Sequence, residues 1–272
     1  MQQLVHAIIV THNSGKVILP CLDAIEGQSE AVSSITIVDS GSHSTDYLDA
    51  IEQRVTRLIK SENVGFARAN NIGFTTVNAG EPDFILFINP DAFLHPDAVL
   101  ECLKLFGKDS KLGCVTGKLL GFDLVGNRSS GHIDSTGIFR RWYGRWYDRG
   151  QGHLDTGQYD QKEYVPAVCG ALMCCRESAL SSFKDKVFDD SFFLYKEDIE
   201  LSLRLRNLGW KLLYSPKVMA YHCRGWNTDR KEMAYEQRLY SAENEVKLYM
   251  RHPSVYILWA IVKYVAVRFF RI

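Results

Sequence analysis

The chain of 272 residues has no excess of either charge, with 32 Lys plus Arg against 32 Asp plus Glu. It lacks the field by which a general nucleic-acid binder gathers phosphate, and residues 1–220 hold no basic stripe with interleaved aromatics. No nucleic-acid partner is expected. The seven cysteines, at 21, 102, 114, 169, 174, 175 and 223, have no zinc-ligand spacing and read as reduced packing residues. The start, MQQLVHAIIV, shows no basic region leading into a long apolar stretch and a small-residue cleavage site. A cytoplasmic location is the expectation. Internal repeats and low-complexity linkers are missing too. So are two nucleotide motifs: THNSGK follows the first apolar run where a dinucleotide fold has G-x-G-x-x-G, and G-x-x-x-x-G-K-[ST] occurs nowhere. A dinucleotide oxidoreductase and a P-loop enzyme are excluded.

What remains is a chain that is 46% hydrophobic and 24% charged, enough to bury a core. Apolar β-rich runs alternate with helical periods. LVHAIIV precedes a helix over about 16–26, SSITIVD one over 47–54, VTRLI one over 66–77, and DFILFIN follows. This predicts an α/β fold with a mostly parallel central sheet flanked by helices, whose ligands gather at the carboxyl ends of the strands. Residues 121–164 turn to Gly, Ser, Arg, Trp and Tyr without clear period and read as a substrate-side excursion. A helix over 196–208, with Ile199, Leu203 and Leu208 as its stripe, is closed by Gly209, and Pro216 is expected to stop the next strand.

Polar groups follow each run: Thr11-His12-Asn13-Ser14, Asp39-Ser40-Gly41-Ser42, Asn63-Val64-Gly65-Phe66 and Asn89-Pro90-Asp91. With both Gly-rich nucleotide motifs missing, a diphosphate would need a divalent metal on a carboxylate, helped by backbone N–H groups at helix N-termini. Asp91 is the first candidate, since a carboxylate ending a buried strand needs a cation or hydrogen bonds; as an alternative it caps the helix near Pro96. Glu197 and Asp198 open a helix, where two acids suit the dipole whatever their function. The aromatic stretch Phe192–Tyr195 ahead of them would set Asp198 against a partly dry wall and raise its pKa toward that of a useful base. His222, after KVMAY, suits a metal or a diphosphate oxygen, or is a structural histidine. Asp39 either accepts from the imide N–H of a uracil or thymine ring or makes an Asx-turn at Gly41.

The two ends of the chain differ. Residues 224–272 carry nine Lys or Arg and five acids, a net +4 set against −4 in the remainder. From Ser254 to Ile272 there are no acids. Eight apolar residues run from Val255 to Val262, and Lys263, Arg268 and Arg271 follow. Three cations within one span favour lying in the membrane interface over crossing it, with packing on the body or on a second subunit as the alternative. The expected organisation is a catalytic domain over 1–230 and a C-terminal helical segment over 231–272 that makes peripheral contact with the inner membrane.

In order, IIVTHNSG, TIVDSGS, ENVGFARANNIG, FILFINPDA, CGALMCCRE and FFLYKEDIELSLRLRNLGWKLLYSPKVMAYH resemble the inverting family 2 glycosyltransferases of GT-A fold. The segment DSTGIFRRWYGRWYDRGQGHLDTGQYD is similar to that of bacterial rhamnosyltransferases that build surface polysaccharide from dTDP-β-L-rhamnose. The resemblance implies a nucleotide site of Thr11, Asn13, Asp39, Gly65, Arg68 and Asn70. It sets Asn89-Pro90-Asp91 at the family's D-x-D motif, with Asn89 in place of the first acid and Asp91 as the carboxylate for Mg²⁺ or Mn²⁺. Asp198 falls on the catalytic base and His222 on the histidine that joins the metal in some relatives. TIVDSGSHSTD departs from the common form at Ser40 and Ser42-His43-Ser44, on the base-binding side. An acceptor saccharide, or a lipid-linked one, would meet Glu197, Trp146 and Arg149 among the aromatic and basic residues of 140–149. A metal-dependent transfer from a nucleoside diphosphate sugar is thereby implied. The rivals are a sugar-nucleotide or glycan-binding protein without catalysis, a transferase using a UDP- or GDP-sugar, and a nucleotidyltransferase, whose Gly-rich basic loop is missing. All of this requires Asp91 and Asp198 to face one cavity.

Overall fold

The computed structural model describes residues 3–77, 80–223 and 233–271. Its first half follows the apolar runs: β1 (Val5–Thr11), α1 (Ile18–Glu26), β2 (Ser34–Ser40), α2 (Asp46–Asp49), β3 (Arg57–Ser61), α3 (Phe66–Phe74) and β4 (Phe84–Ile88). Every residue of β1 and β4 is buried, as in parallel strands covered on both faces. β1 pairs in parallel with β2 and β4, and β2 with β3. The helix expected over 47–54 is instead α2 and a 3₁₀ turn, Glu52–Arg54. Only Leu48 and Ile51 are fully buried there, an apolar stripe too short to sustain a longer helix.

The second half contains β5 (Ala92–Leu94), α4 (Ala98–Phe106), β6 (Leu112–Asp123), β7 (Arg128–Ser135), β8 (Ile138–Arg140), β9 (Trp146–Asp148), β10 (Glu163–Tyr164), β11 (Leu172–Arg176), α5 (Glu177–Leu180), α6 (Glu197–Asn207), β12 (Lys211–His222), α7 (Tyr235–Arg251) and α8 (Ile257–Phe270). The sheet runs β10-β12-β6-β11-β4-β1-β2-β3, with β5 on β12 and β7 on β6. β11 is antiparallel to both neighbours, whereas β12 runs parallel to β6.

Residues 121–164 hold strands of their own: β6 continues past Gly121 and hairpins with β7, and β8 and β9 form a second small sheet. The polar RSSGHIDS of β7 carries no period-two apolar signal, so pairing with β6 alone makes it a strand. Pro216 does not stop β12. The register shifts between Ser215 and Met219, so the proline sits in a bulge and withdraws no ladder hydrogen bond. Gly117 is the partner that permits this, because a Cβ there would lie 1.9 Å from the carbonyl oxygen of Val218.

The C-terminal helices α7 and α8 pack on the body of the fold. Asn244, Glu245, Leu248 and Tyr249 of α7 are buried, and the Tyr249 hydroxyl donates to the Gly144 carbonyl beyond β8. The boundary expected at 230/231 lies outside the described residues. The helix stop at Gly209 has φ +87°, with Trp210 N–H on the carbonyl of Leu205. None of the seven cysteines forms a disulfide, and six are buried.

Candidate functional site

The carboxyl ends of β1, β2 and β4 open on a cavity of about 1370 Å³, lined by Asn13, Lys16, Ser40, Gly65, Asn89, Asp91 and His132 among others. A second cavity of about 610 Å³ shares Asn89 and Asp91 with it and is walled by Trp146, Asp148, Gly170, Glu197, Asp198 and His222. Asp91 and Asp198 therefore face one space.

Asp91 leaves the sheet through the turn Asn89-Pro90-Asp91, closed by Ala92 N–H on the Asn89 carbonyl at 3.1 Å. The chain then enters β5, which pairs antiparallel with β12 so that Ala92 opposes His222. This register brings Asp91 Oδ1 to 3.2 Å from His222 Nε2. The other ring nitrogen, Nδ1, lies 2.7 Å from Asp134 Oδ2 on β7. Burial opposes charge on His222, but the hydrogen bonds to Asp134 and Asp91 outweigh it and raise its pKa to about 9. Burial likewise works against the charge on Asp91, and His222 overcomes it, holding that carboxyl below its ordinary value.

Among the described residues no three His, Cys, Asp or Glu side chains converge as a metal cage. One carboxylate and one imidazole do meet, beside Asn89, whose Oδ1 is buried without a hydrogen-bond partner. A hard cation such as Mg²⁺ uses one or two carboxylates and completes its shell with phosphate oxygens and water. This donor set fits a cation that binds together with a diphosphate.

Asp198 is the second residue of α6. Its Oδ2 accepts from Gly170 N–H at 2.9 Å and its Oδ1 from Ile199 N–H at 2.8 Å. Burial raises its pKa, the two N–H groups oppose that rise, and the Asp148 carboxylate adds to it. The result is a fixed carboxylate more basic than an ordinary aspartate. Gly170 has no side chain to separate the two walls: a Cβ there would lie 3.3 Å from the Asp198 carboxylate.

The expected nucleotide residues divide. Asn13, at φ +55°, Gly65 and Asn89 line the large cavity. Gly65, at φ +81°, opens α3 where a Cβ would lie 2.5 Å from the Phe193 carbonyl oxygen, so only glycine lets the α3 N-terminus meet that loop. Thr11, Asp39 and Asn70 are buried behind the wall. Asp39 accepts from Thr11 Oγ1 at 3.0 Å, Ser42 Oγ at 2.6 Å, Tyr47 OH at 2.7 Å and, in an Asx-turn, Ser42 N–H at 3.1 Å. In place of an open ring contact it braces the first two strand ends. Arg68 is exposed on α3 and lines neither cavity.

On the acceptor side, Trp146 and Glu197 line the smaller cavity. Arg149 does not. Its guanidinium donates to the Thr136 side chain and carbonyl, pairs with Glu163 and stacks on Phe139 and Tyr159, which turns it inward to hold β8 and β9 to the body. Lys263, expected at the membrane interface, is likewise turned inward, at 2.5 Å from the buried Glu245. Asp134, Asp148, Lys16, Gln237 and Ser241 line the cavities without having been singled out in the sequence. Asp134, Asp148 and Lys16 lie within quoted segments that do not by themselves assign them a role, and Gln237 and Ser241 lie in α7, outside every quoted motif.

The family described as Glycosyltransferase like family 2 matches residues 2–240. The chain is 24% identical over 279 residues to the N-acetylglucosaminyl-diphospho-decaprenol L-rhamnosyltransferase of Mycobacterium tuberculosis, covering 96% of this chain and 85% of that one. It is 32% identical to chondroitin synthase of Escherichia coli over 129 residues, 46% of this chain and 18% of that one. In three dimensions it is similar to GalNAc-T7 solved with UDP, GalNAc and Mn²⁺, with a TM-score of 0.69 at 15% identity over 91% of this chain, which spans 48% of that structure. The mannosyltransferase PcManGT of Pyrobaculum calidifontis, in complex with GDP-Man and Mn²⁺, gives 0.61 at 16% identity over 97% of this chain and 73% of its own. These neighbours are GT-A glycosyltransferases. With the family match covering most of its length, the chain belongs to glycosyltransferase family 2 and has the GT-A fold.

Proposed function

We propose that this protein transfers L-rhamnose from dTDP-β-L-rhamnose, with inversion, to a hydroxyl of a saccharide or lipid-linked acceptor in bacterial surface polysaccharide assembly. The observation that carries the reading is the shared cavity of Asp91 and Asp198. Rhamnose and a lipid-linked acceptor are supported by the Mycobacterium tuberculosis relative, whose name states both. The UDP- and GDP-bound neighbours make those nucleotides the alternatives that a donor panel must include.

In this mechanism the donor diphosphate lies in the larger cavity against Asn13, Gly65 and the N-terminus of α3, the helix end that favours an anion. Asp91, His222 and Asn89 would hold a divalent cation, Mg²⁺ or Mn²⁺, which when bound neutralises charge on the departing diphosphate. Asp134 keeps the His222 ring oriented by accepting from Nδ1. Asp198 takes the proton of the acceptor hydroxyl as that oxygen attacks the anomeric carbon from the face opposite the diphosphate. Gly170 and Ile199 N–H groups hold its carboxylate in place. Trp146 and Glu197 line the acceptor side.

No helix among the described residues is long and apolar enough to cross a membrane. α8 exposes Leu258, Ile261, Val262, Val265 and Phe269, one stripe at helical spacing, with Arg268 and Arg271 also exposed. Peripheral binding to anionic lipid on the cytoplasmic face is part of the proposal. Flotation with anionic liposomes should retain the full chain and lose one ending at Pro253; equal binding removes this element.

The reaction itself is tested by incubating dTDP-, UDP- and GDP-sugars with Mg²⁺ or Mn²⁺ and measuring nucleoside diphosphate release. Turnover with dTDP-β-L-rhamnose is the expected result. Binding without release by any donor would leave a non-catalytic sugar-nucleotide protein.

A further inference from the structure

The residues just ahead of α6 adopt a backbone conformation that L side chains avoid: φ is +73° at Tyr195 and +76° at Lys196. Lys196 is the N-cap of α6 and has no side-chain capping bond. Adjacent non-glycine residues in this region persist only where their surroundings hold them there. Here the hold comes from outside the motif. Asn244 of α7 is 1% exposed, and its Nδ2 donates to two successive carbonyls, Leu194 at 2.9 Å and Tyr195 at 3.0 Å. A primary amide is the neutral side-chain group with two donors on one atom, and both are used. Gln237 and Ser241, on the same face of α7 two turns and one turn earlier, line the cavity that holds Asp198. Lys247 fixes the start of the same loop by donating to the Ser191 carbonyl at 2.7 Å.

We infer that Asn244 is a positioning residue, which holds the Leu194–Lys196 corner in its left-handed form and so determines where Asp198 projects into the cavity. The inference rests on Asp198 being the base of the proposed transfer. It gives the C-terminal helices a function in the site: the corner is formed by the loop before α6, but its geometry is imposed from α7.

Two variants separate positioning from packing. Asn244→Ala removes both donors, and Asn244→Leu removes them while keeping the side-chain volume. Hydrogen exchange by mass spectrometry on the full chain should show residues 191–199 exchanging about 10-fold faster or more in both variants, with β1 and β4 unchanged. With whichever sugar nucleotide the wild type turns over, kcat should fall about 10- to 100-fold, as expected for a base displaced by up to about 1 Å, while the donor KM stays within about twofold. The acid limb of the kcat–pH profile should move to lower pH. A loosened corner exposes Asp198 to water and weakens the influence of burial and of Asp148, the two causes that raise its pKa, with Lys196 acting in the opposite sense.

Unchanged exchange at 191–199, or unchanged kcat in a folded variant, overturns the inference. Loss of protection throughout the chain in both variants overturns it too, since Asn244 would then serve the whole fold. If the wild type releases no nucleoside diphosphate from any donor, the proposed reaction fails, and the exchange measurement alone decides whether Asn244 holds the corner.

Discussion

His222 Nδ1 stands 2.7 Å from Asp134 Oδ2, a contact between two buried side chains 88 positions apart in the chain. With Asp91 on its other nitrogen, the ring lies between two carboxylates. Its pKa is raised from 6.5 in the unfolded chain to about 9 in the fold. The stabilisation is therefore complete below about pH 6.5 and is lost as pH rises through about 9. The amount at stake is on the order of 3 kcal/mol. Urea unfolding in EDTA at pH 6, 7.5 and 9 should show the wild type losing stability across this range and His222→Gln changing less. Parallel curves would show that the histidine is not charged between its two acids.

Asp198→Asn retains the shape of the side chain and removes its basicity. Transfer should fall by about 10²- to 10⁴-fold, the usual worth of a general base, with nucleotide affinity unchanged by calorimetry. Retained turnover would remove Asp198 from that role.

Asp91→Ala should act on binding. Calorimetry with UDP and dTDP in the presence of Mn²⁺ should show weakened affinity, while titrations in EDTA match the wild type. Equal affinity in Mn²⁺ would exclude Asp91 from the metal site.

Gly65→Ala combines a positive φ with a Cβ 2.5 Å from the Phe193 carbonyl oxygen. Backbone strain of this kind costs about 1–3 kcal/mol, so the variant should melt several degrees lower and also bind nucleotide more weakly, since the α3 N-terminus must move. A melting point equal to that of the wild type would contradict the close approach.

Lys263 and Glu245 make a different test, because Lys263 is only 10% exposed and Glu245 not at all. Lys263→Met should destabilise by about 3 kcal/mol through the buried carboxylate left behind, and Glu245→Gln in the same chain should recover most of it. Liposome flotation of the double variant should match the wild type. A loss of lipid binding would show that Lys263 faces head groups after all.

Much of the site could be read in the sequence because its parts are local. Asn89-Pro90-Asp91 ends an apolar run, Glu197-Asp198 follows an aromatic stretch, and Gly65 precedes a helical period; each sits within a few residues of the strand or helix that carries it. The sequence sets Arg149 among acceptor-side residues and Lys263 at the membrane interface for an equally local reason, their cationic neighbours, whereas in the fold both turn inward, Arg149 onto Thr136 and Lys263 onto Glu245. Charge patterning along the chain does not contain the partner across a fold.

The sequence by itself determined the alternation of buried strands and helices, and with it the end of the sheet at which polar residues collect, because burial and backbone propensity act over short spans. Only the tertiary structure decided that β7 supplies Asp134 to His222, that β9 sets Asp148 toward Asp198, and that α7 brings Asn244 to the corner before α6. Those contacts join residues about 50 to 90 positions apart. Strand register and helix packing select them, and both depend on the folding of the whole chain.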